Sequence, residues 1–383
     1  MNETQQILKA IDQNKLKKKL TKRAYTNLLY GLLNPNLPSY LILYVNNICQ
    51  LRCDMCFYWD AMQVKTEQLS LGEITKLSKS LPNLFQLTLT GGEPSLSEDL
   101  PKIPKIFSEN SNLSKCTIVT NGMLSERIAQ YVEEMTKDNP EVDFRMSVSI
   151  DAIGDQHDSI RGVKGSYDNA IKTLDLLIEL KKKVHNLWID VNTTMSKYNY
   201  LDFEDIHNYI LKNFNVDNHV TAFTRGKTKE DDAAEIPIEY YTKYKKIIQR
   251  DGGNSSHNLQ KAIAAVRDVV MDEVDRELVE NRYNFDCSAG KKFLEVYQDG
   301  RVVSCEILET LVSEEETSMG NIKDFDCDVK KLLESEKAQN ILNYIKQSKC
   351  HCTFECPKHM DVLYNKKFYP KLVRSLVKNY LSS

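Results

Sequence analysis

The chain has 383 residues, of which 41% are hydrophobic and 27% are charged, and this length is enough for a substantial core in two or three domains. Lysine and arginine total 51 against 54 aspartates and glutamates, so the net charge of -3 gives no global positive field for a nucleic-acid partner. We expect a cytoplasmic protein without a transmembrane segment, because the N-terminal residues lack the apolar core of a secretory signal and no stretch has the apolar length that spans a bilayer.

The N-terminal segment, residues 1–38, is predicted to be helical, with apolar residues on both sides of the basic run LKKKLTKR that begins at Leu16. We interpret it as a solvated helix packed on the rest of the protein. The alternative is a helix that lies on a membrane surface through its basic residues.

From Ser39 to about Thr224, short apolar or β-branched runs alternate with segments of helical spacing. This alternation is typical of repeated βα units around a parallel sheet. The fold class is therefore α/β, with a partial (βα)6 barrel of the TIM type, or an open parallel sheet, over residues 39–225. The six predicted strands are SYLILYVNN from Ser39, QLTLTGGEP from Gln86, CTIVTNG from Cys116, FRMSVSID from Phe144, LWIDVNTTM from Leu187 and HVTAFT from His219.

The alternation stops at the polar stretch RGKTKEDDAAEIP from Arg225, which begins a predicted helical linker over residues 226–284. Within this linker, QRDGGNSSHN from Gln249 is predicted to be a loop between helices. The segment KFLEVYQDGRVVSCEIL then predicts a hairpin, since the pair Asp299-Gly300 is a strong turn signal between alternating strands. We predict a small α+β domain over residues 285–383.

Three of the ten cysteines, Cys49, Cys53 and Cys56, lie within eight residues directly after the first predicted strand. In a reducing compartment such clustering indicates metal ligation rather than disulfide bonds. A structural zinc site uses four protein ligands, whereas three thiolates on a cubane cluster leave one iron open for another molecule. The incomplete ligand set therefore indicates catalysis.

The CxxxCxxC spacing of these cysteines resembles that of the radical S-adenosylmethionine (SAM) enzymes. The resemblance implies a [4Fe-4S] cluster on Cys49, Cys53 and Cys56, whose open iron chelates the amino and carboxylate groups of SAM. It also implies one-electron cleavage of SAM to methionine and a 5′-deoxyadenosyl radical, which removes a hydrogen atom from the substrate. An electron donor such as flavodoxin or ferredoxin is the implied partner.

The GGEP sequence after the second strand resembles the family's motif for the amino group of SAM. The resemblance implies Glu93 as the acceptor for the ammonium, with Gly91 and Gly92 allowing the backbone to come close to the ligand. In a βα fold the functional residues lie at the carboxyl ends of the strands, where this motif is predicted to be.

Polar residues also follow the third and fourth predicted strands. Asn121, Ser149 and Asp151 are candidates for hydrogen bonds to the ribose of the cofactor. Arg161, in the segment DQHDSIRG that resembles the family, is our choice for the cofactor carboxylate, since a guanidinium pairs well with that group. His157 is a candidate for lining the active site.

A second set of cysteines lies in the C-terminal region, where CSAGKKFLEVYQDGRVVSCE resembles the entry of the auxiliary-cluster domains SPASM and Twitch. We prefer a Twitch-like domain with one auxiliary [4Fe-4S] cluster, and structural zinc is the alternative. Cys116 and Cys327 fit no pattern and are interpreted as packed side chains. The expected cluster ligands are Cys287, Cys305 and Cys356 with either Cys350 or Cys352.

We therefore predict an iron-sulfur oxidoreductase of the SPASM/Twitch group that acts on a small polar metabolite or sugar-like substrate by oxidation, epimerisation or rearrangement. The alternative is a maturase for a ribosomally made peptide, for which the thirty-eight residues before the first strand are too few to form a leader-recognition domain. A noncatalytic, metal-stabilised binding module is the hypothesis from another class. Glu93 beside intact cysteines argues against that module, because a scaffold has no need of polar groups that face a cofactor.

Overall fold

A computed structural model describes residues 20–251, 258–280, 286–312, 314–350 and 352–381. The first half of the predicted N-terminal segment and part of the predicted loop after Gln249 lie outside the described residues. Among the described residues, we find no helix with the length and apolar character that crossing a membrane requires.

Nine strands form one sheet in the order β6-β5-β4-β3-β2-β1-β7-β8-β9. Strands β1 to β7 run parallel to one another, and β8 is antiparallel to both of its neighbours, β7 and β9. Each of the six strands predicted for the barrel overlaps one of β1 to β6. The strands are β1 Tyr40–Asn46, β2 Gln86–Gly91, β3 Lys115–Thr120, β4 Asp143–Ser149, β5 Leu187–Met195, β6 Asn218–Phe223, β7 Phe293–Val296, β8 Arg301–Val303 and β9 Ser318–Asn321.

Helices connect the parallel strands, as the alternating pattern predicts. Up to β6 they are α1 (20–33), α2 Trp59–Met62, α3 Leu71–Lys79, α4 Lys102–Ser111, α5 Ser125–Asp138, α6 Asp155–Arg161, α7 Ser166–Lys181 and α8 Phe203–Asn213. After β6 they are α9 Glu239–Asp251, α10 Asn258–Glu280, α11 Leu308–Leu311, α12 Glu314–Thr317, α13 Val329–Leu333, α14 Glu336–Ser348, α15 Glu355–Tyr364 and α16 Tyr369–Leu381.

One face of the parallel sheet is apolar and packs against helices. Residues such as Leu87, Cys116, Phe144 and Ile189 are fully buried there, together with helix residues such as Leu177. Because side chains alternate between the two faces of a strand, the residues between them lie on the opposite side, which we call the inner face. The inner face carries Gln86, Thr88 and Thr90 on β2, Lys115, Thr117 and Val119 on β3, Asp143, Arg145, Ser147 and Ser149 on β4, and Trp188, Asp190, Asn192 and Thr194 on β5.

The predicted hairpin is present as β7 and β8, and it belongs to the same sheet as the barrel strands. β7 pairs in parallel with β1, so that Tyr40 is opposite Phe293 and Leu43 is opposite Val296. The Asp299-Gly300 turn lies between the two hairpin strands, and Gly300 has a φ of 93°. The C-terminal region therefore extends the barrel sheet by three strands.

Candidate active site

The loop between β1 and α2 carries Cys49, Cys53 and Cys56, all partly buried and free of disulfide bonds. The backbone of this loop is held against the end of α6. The amides of Arg52 and Asp54 donate to the carbonyls of Arg161 and Ile160, each at 3.0 Å. The fold therefore brings the three cysteines to the carboxyl end of β1, where the sequence predicts them.

Burial dominates the electrostatics of the three thiols. It raises the pKa of Cys53 to about 11 and that of Cys56 to about 12, and the neighbouring Cys53 sulfur adds to the shift at Cys56. A bound metal cation reverses such shifts, because it stabilises the thiolate. Three soft, clustered sulfur donors fit an iron-sulfur cluster. Among the described residues, no three His, Cys, Asp or Glu side chains form a group that holds a single metal ion.

The polar segment after β6, which sequence reasoning treats as the start of a linker, packs on the cysteine loop. The amide of Lys229 donates to the carbonyl of Cys56 at 3.1 Å, and the amide of Glu230 donates to that of Asp54 at 3.0 Å. The Lys229 ammonium also pairs with the Asp54 carboxylate at 3.0 Å. This segment therefore fixes the loop from the side opposite α6.

Gly91 and Gly92 bring the loop after β2 against the backbone that leads into Cys49. A Cβ on Gly91 would lie 2.2 Å from the Asn46 carbonyl oxygen, and one on Gly92 would lie 2.2 Å from that of Ile48. Backbone hydrogen bonds join the same residues, from Gly92 to Asn46 at 3.0 Å and from Glu93 to Ile48 at 2.7 Å. The sequence predicted close approach to a ligand, and the structure shows close approach to the cysteine loop.

The Glu93 carboxylate is buried at the carboxyl ends of β2 and β3. Its Oε1 accepts hydrogen bonds from the Ser95 amide at 3.1 Å and the Thr120 hydroxyl at 2.8 Å, and its Oε2 accepts one from the Asn121 amide at 2.7 Å. Burial raises the pKa of Glu93, and these donors oppose that rise. The carboxylate thus joins two strand ends and keeps further acceptor capacity on Oε2.

Asn121 and Ser149, both predicted for the ribose, lie at the ends of β3 and β4. The side-chain nitrogen Nδ2 of Asn121 lies 3.5 Å from the Cys49 sulfur, and the side-chain oxygen of Asn121 accepts from the backbone amide of Met123 at 2.9 Å. The Ser149 side chain is 5% exposed on the inner face. Asn121 therefore contacts the cysteine set directly.

Asp151 and Arg161 form a buried ion pair beside the cysteines. The Nε and Nη2 atoms of Arg161 each lie 2.6 Å from Asp151 Oδ2, and Asp151 Oδ1 accepts from the Thr194 amide at 2.8 Å. Burial lowers the pKa of Arg161, but the charge of Asp151 and then the nearby Cys53 sulfur outweigh burial, so the net pKa of Arg161 is raised. The pair therefore places a permanent positive charge near the thiols.

His157 is fully buried next to this pair. Its Nδ1 accepts a hydrogen bond from the Asp151 amide at 3.1 Å, and its Nε2 has no hydrogen-bond partner among the described residues. Burial, followed by the charge of Arg161, lowers the pKa of His157 to about 4. The ring is therefore neutral at physiological pH and supports the Asp151 backbone.

The second cysteine set lies in one region of the C-terminal part. Burial raises the pKa of Cys305 well above its ordinary value, and the nearby Cys287 and Cys352 sulfurs add to that rise. Burial also raises the pKa of Cys350 to about 11, followed by the influence of Cys352. Cys356 lies at the amino end of β1, where the Tyr40 hydroxyl donates to its sulfur at 3.5 Å.

A charged cluster close to this second set was not predicted from the sequence. Arg225 donates from Nε to Glu306 Oε1 at 2.8 Å, and its guanidinium lies 4.2 Å from the ring centre of Phe354. The Tyr44 hydroxyl donates to the same carboxylate at 3.1 Å, and Glu295 is fully buried beside it. The sequence contains one signal for this cluster. Glu295 is a charged residue between two apolar neighbours in a predicted strand, which the structure shows as β7.

Two family models match segments of the chain. The radical SAM superfamily matches residues 43–210, and the SPASM iron-sulfur cluster-binding domain matches residues 287–357. The first segment begins in β1 and contains the loop with Cys49. The second contains all five cysteines of the second set.

Curated relatives share sequence with the N-terminal half. The chain is 29% identical over 194 residues to Fe-coproporphyrin III synthase of Methanosarcina barkeri, a match that covers 47% of this chain and 45% of the relative. It is 31% identical over 162 residues to GTP 3′,8-cyclase of Cronobacter sakazakii, which covers 39% of this chain and 49% of the relative. The chain thus spans about half the length of these relatives.

Two solved structures share the fold over most of the chain. Native anSMEcpe with bound AdoMet and Kp18Cys peptide has a TM-score of 0.58 at 14% identity, covering 89% of this chain and 100% of that one. Streptococcus suis SuiB bound to precursor peptide SuiA has a TM-score of 0.56 at 14% identity, covering 89% and 72%. At this identity the likeness shows a common fold, a partial barrel with a C-terminal auxiliary domain.

Proposed function

Because the chain belongs to the radical SAM superfamily and carries a SPASM iron-sulfur cluster-binding domain, we propose that this enzyme removes a hydrogen atom from a small polar or sugar-like substrate. The substrate would lie against the inner face of the sheet. Oxidation, epimerisation and rearrangement are the reactions that such a step begins.

In this proposal, Cys49, Cys53 and Cys56 hold the [4Fe-4S] cluster that binds SAM. When bound, the cluster and SAM supply a 5′-deoxyadenosyl radical through one-electron reduction of the sulfonium. The chain's contribution is to position the cofactor. The proposed SAM-binding residues are Gly91, Gly92, Glu93, Asn121, Ser149, Asp151 and Arg161.

The geometry of these residues supports the assignment. Glu93 is rigidly held by three donors, so a further contact to the cofactor ammonium requires no rearrangement of the carboxylate. Arg161 uses Nε and Nη2 for Asp151, which leaves Nη1 as the donor for the cofactor carboxylate. Asp151 keeps the guanidinium in place while it does so.

We propose that the second cysteine set holds one auxiliary [4Fe-4S] cluster, through Cys287, Cys305, Cys356 and either Cys350 or Cys352. The predicted domain limits, 39–225 and 285–383, enclose the two segments that match the family models. The auxiliary cluster would accept an electron from the substrate radical or stabilise the fold.

The polar inner face is the observation that carries the choice of substrate. It presents hydroxyl, amide and charged side chains on four neighbouring strands, between the Cys49 loop at one end of β1 and Cys356 at the other. Such groups bind polar substrates through hydrogen bonds and are costly to bury against apolar ones. A small polar or sugar-like molecule therefore suits this surface.

A ribosomally made peptide is the second candidate. The specific observation in its favour is the shared fold with anSMEcpe and SuiB, whose structures contain a bound peptide. A peptide side chain with polar groups would meet the same inner face.

The first test is the release of 5′-deoxyadenosine by anaerobically reconstituted protein, given dithionite and SAM. We expect release by the wild type and a loss of at least a hundredfold when Cys49, Cys53 and Cys56 are replaced by Ala, because the cluster then has no ligands. Cys116→Ala, which removes a core cysteine outside both sets, should retain the activity. Equal release of 5′-deoxyadenosine by the wild type and the triple variant would contradict the proposal.

The substrate class is tested with deuterated candidates. Small polar metabolites with deuterium on carbon should pass the label into 5′-deoxyadenosine, as mass spectrometry would detect. Transfer from peptides alone would replace the preferred substrate with the second candidate.

A further inference from the structure

Lys115 is a charged side chain on the inner face without a protein partner. It is the first residue of β3, directly opposite Gln86 of β2 and Asp143 of β4. Within the described residues its ammonium makes no hydrogen bond or ion pair. Asp190, Asp143 and the Cys356 sulfur act on it electrostatically, but among the described residues none of them pairs with it directly. Its donor hydrogens are therefore open to a ligand.

Two further donors lie next to Lys115 on the same face. Thr117 is two residues along β3, and Arg145 is its partner in register on β4. The Thr117 hydroxyl and the Arg145 Nε are both buried, and neither has a hydrogen-bond partner among the described residues. Buried donors are normally paired, so three unpaired donors at adjacent positions indicate a ligand.

The two carboxylates near this group make hydrogen bonds with side chains other than Lys115. Asp190 accepts from Arg145 Nη1 at 2.6 Å and from the side-chain nitrogen Nδ2 of Asn218 at 2.9 Å. Asp143 accepts from the Trp188 indole at 3.4 Å. The Arg145–Asp190 pair is buried and neutral as a unit. Burial, followed by the charge of Arg145, lowers the pKa of Lys115 to about 7, and a bound anion would favour its protonated form.

We propose that Lys115, Thr117 and Arg145 form a subsite for an oxyanion of the substrate, either a carboxylate or a phosphate. Lysine supplies a point charge, and the hydroxyl and the guanidinium Nε supply directed hydrogen bonds, the combination that binds such groups. The inference rests on the proposed function in one respect: it takes the inner face as the surface that binds the substrate.

The subsite is tested by isothermal titration calorimetry of the reconstituted protein without SAM, using orthophosphate and acetate as probes. We expect one-to-one binding of at least one probe to the wild type and a tenfold or greater loss in Lys115→Met. Lys115→Arg keeps the charge and should bind within about threefold of the wild type. Orthophosphate binding alone indicates a phosphorylated substrate, and acetate binding alone indicates a carboxylate.

Lys137→Met is the matched control, because it removes an exposed lysine that pairs with Glu133 on the surface. Thr117→Val preserves side-chain shape and removes only the hydroxyl, so it decides the question if Lys115→Met does not fold. We expect it to weaken binding by threefold or more. Failure of both probes to bind the wild type, or equal binding by the Lys115 and Lys137 variants, overturns the inference.

These outcomes are separable from the proposed function. A wild-type protein that releases 5′-deoxyadenosine and binds neither anion overturns only the subsite. A protein that binds an anion through Lys115 and cleaves no SAM overturns only the proposed function.

Discussion

Arg161 shows how one side chain joins the cysteine loop to the barrel. Its carbonyl accepts from Arg52 inside the loop, and its guanidinium pairs with Asp151 after β4. Breaking a buried pair by removing one partner typically costs about 3–5 kcal/mol, since the other charge is left uncompensated. The pair with Asp151 therefore fixes the position of the Arg161 charge beside the thiols.

His157 gives the protein a predictable loss of stability in mild acid. Its folded pKa of about 4 lies below the ordinary value of 6.5, because the ring is buried and the positive charge of Arg161 is near. As pH falls through 6.5, the unfolded chain binds the proton first, so the contribution to stability present above pH 6.5 is lost toward pH 4.

We expect His157→Gln to remove this part of the pH dependence. Denaturant unfolding gives the free energy of unfolding at pH 7.5 and at pH 5.5. The decrease in this free energy between the two pH values should be about 1 kcal/mol smaller in the variant than in the wild type, since each pKa unit corresponds to about 1.4 kcal/mol. His185→Gln, at a half-buried position beside the Pro140 carbonyl, is the control and should behave like the wild type. An unchanged pH slope in His157→Gln would contradict the prediction.

At the scale of elements, the loops after β1 and β2 form one packed unit. Gly92 allows this packing, because any side chain there would clash with the carbonyl of Ile48, which is the residue before Cys49. Gly92→Ala should therefore displace the cysteine loop, with a destabilisation of about 2 kcal/mol from overpacking. Iron bound per chain should fall with it.

Gly72→Ala is the control for this prediction. Gly72 is the second residue of α3, and the nearest atom to a Cβ there is the Ser70 hydroxyl at 3.8 Å. Alanine should stabilise this helix by up to about 1 kcal/mol without changing the iron content. Normal iron and stability in Gly92→Ala, measured by colorimetric assay and thermal unfolding, would show that the loop does not need the glycine.

The strands and the cysteine loop were predictable because local patterns specify them. The alternation of βα units placed β1 to β6, and three thiols at fixed spacing identified the loop. Packing of the 225–230 segment on Cys56 was not predictable, since it rests on backbone hydrogen bonds that any polar sequence can make. Lys115 and Arg145 were missed for a different reason: their importance appears only when the register of β3 and β4 places them side by side.

At the scale of the whole molecule, the two cysteine sets lie at opposite ends of β1. Cys49 follows the carboxyl end of β1, whereas Cys356 contacts Tyr40 at its amino end. Seven residues at about 3.3 Å each put roughly 20 Å between these ends. Sites this far apart are expected to lose their ligands independently.

We therefore expect about eight irons per reconstituted chain, as two four-iron clusters. Replacement of Cys49, Cys53 and Cys56 by Ala should halve that number, and so should replacement of Cys287, Cys305 and Cys356, because each change removes the ligands of one cluster and leaves the other end of β1 intact. Cys116→Ala should keep the full number. Metal analysis of all four proteins by mass spectrometry decides between an auxiliary cluster and structural zinc. One zinc and four irons in the wild type would show that the second site holds zinc and not an iron-sulfur cluster.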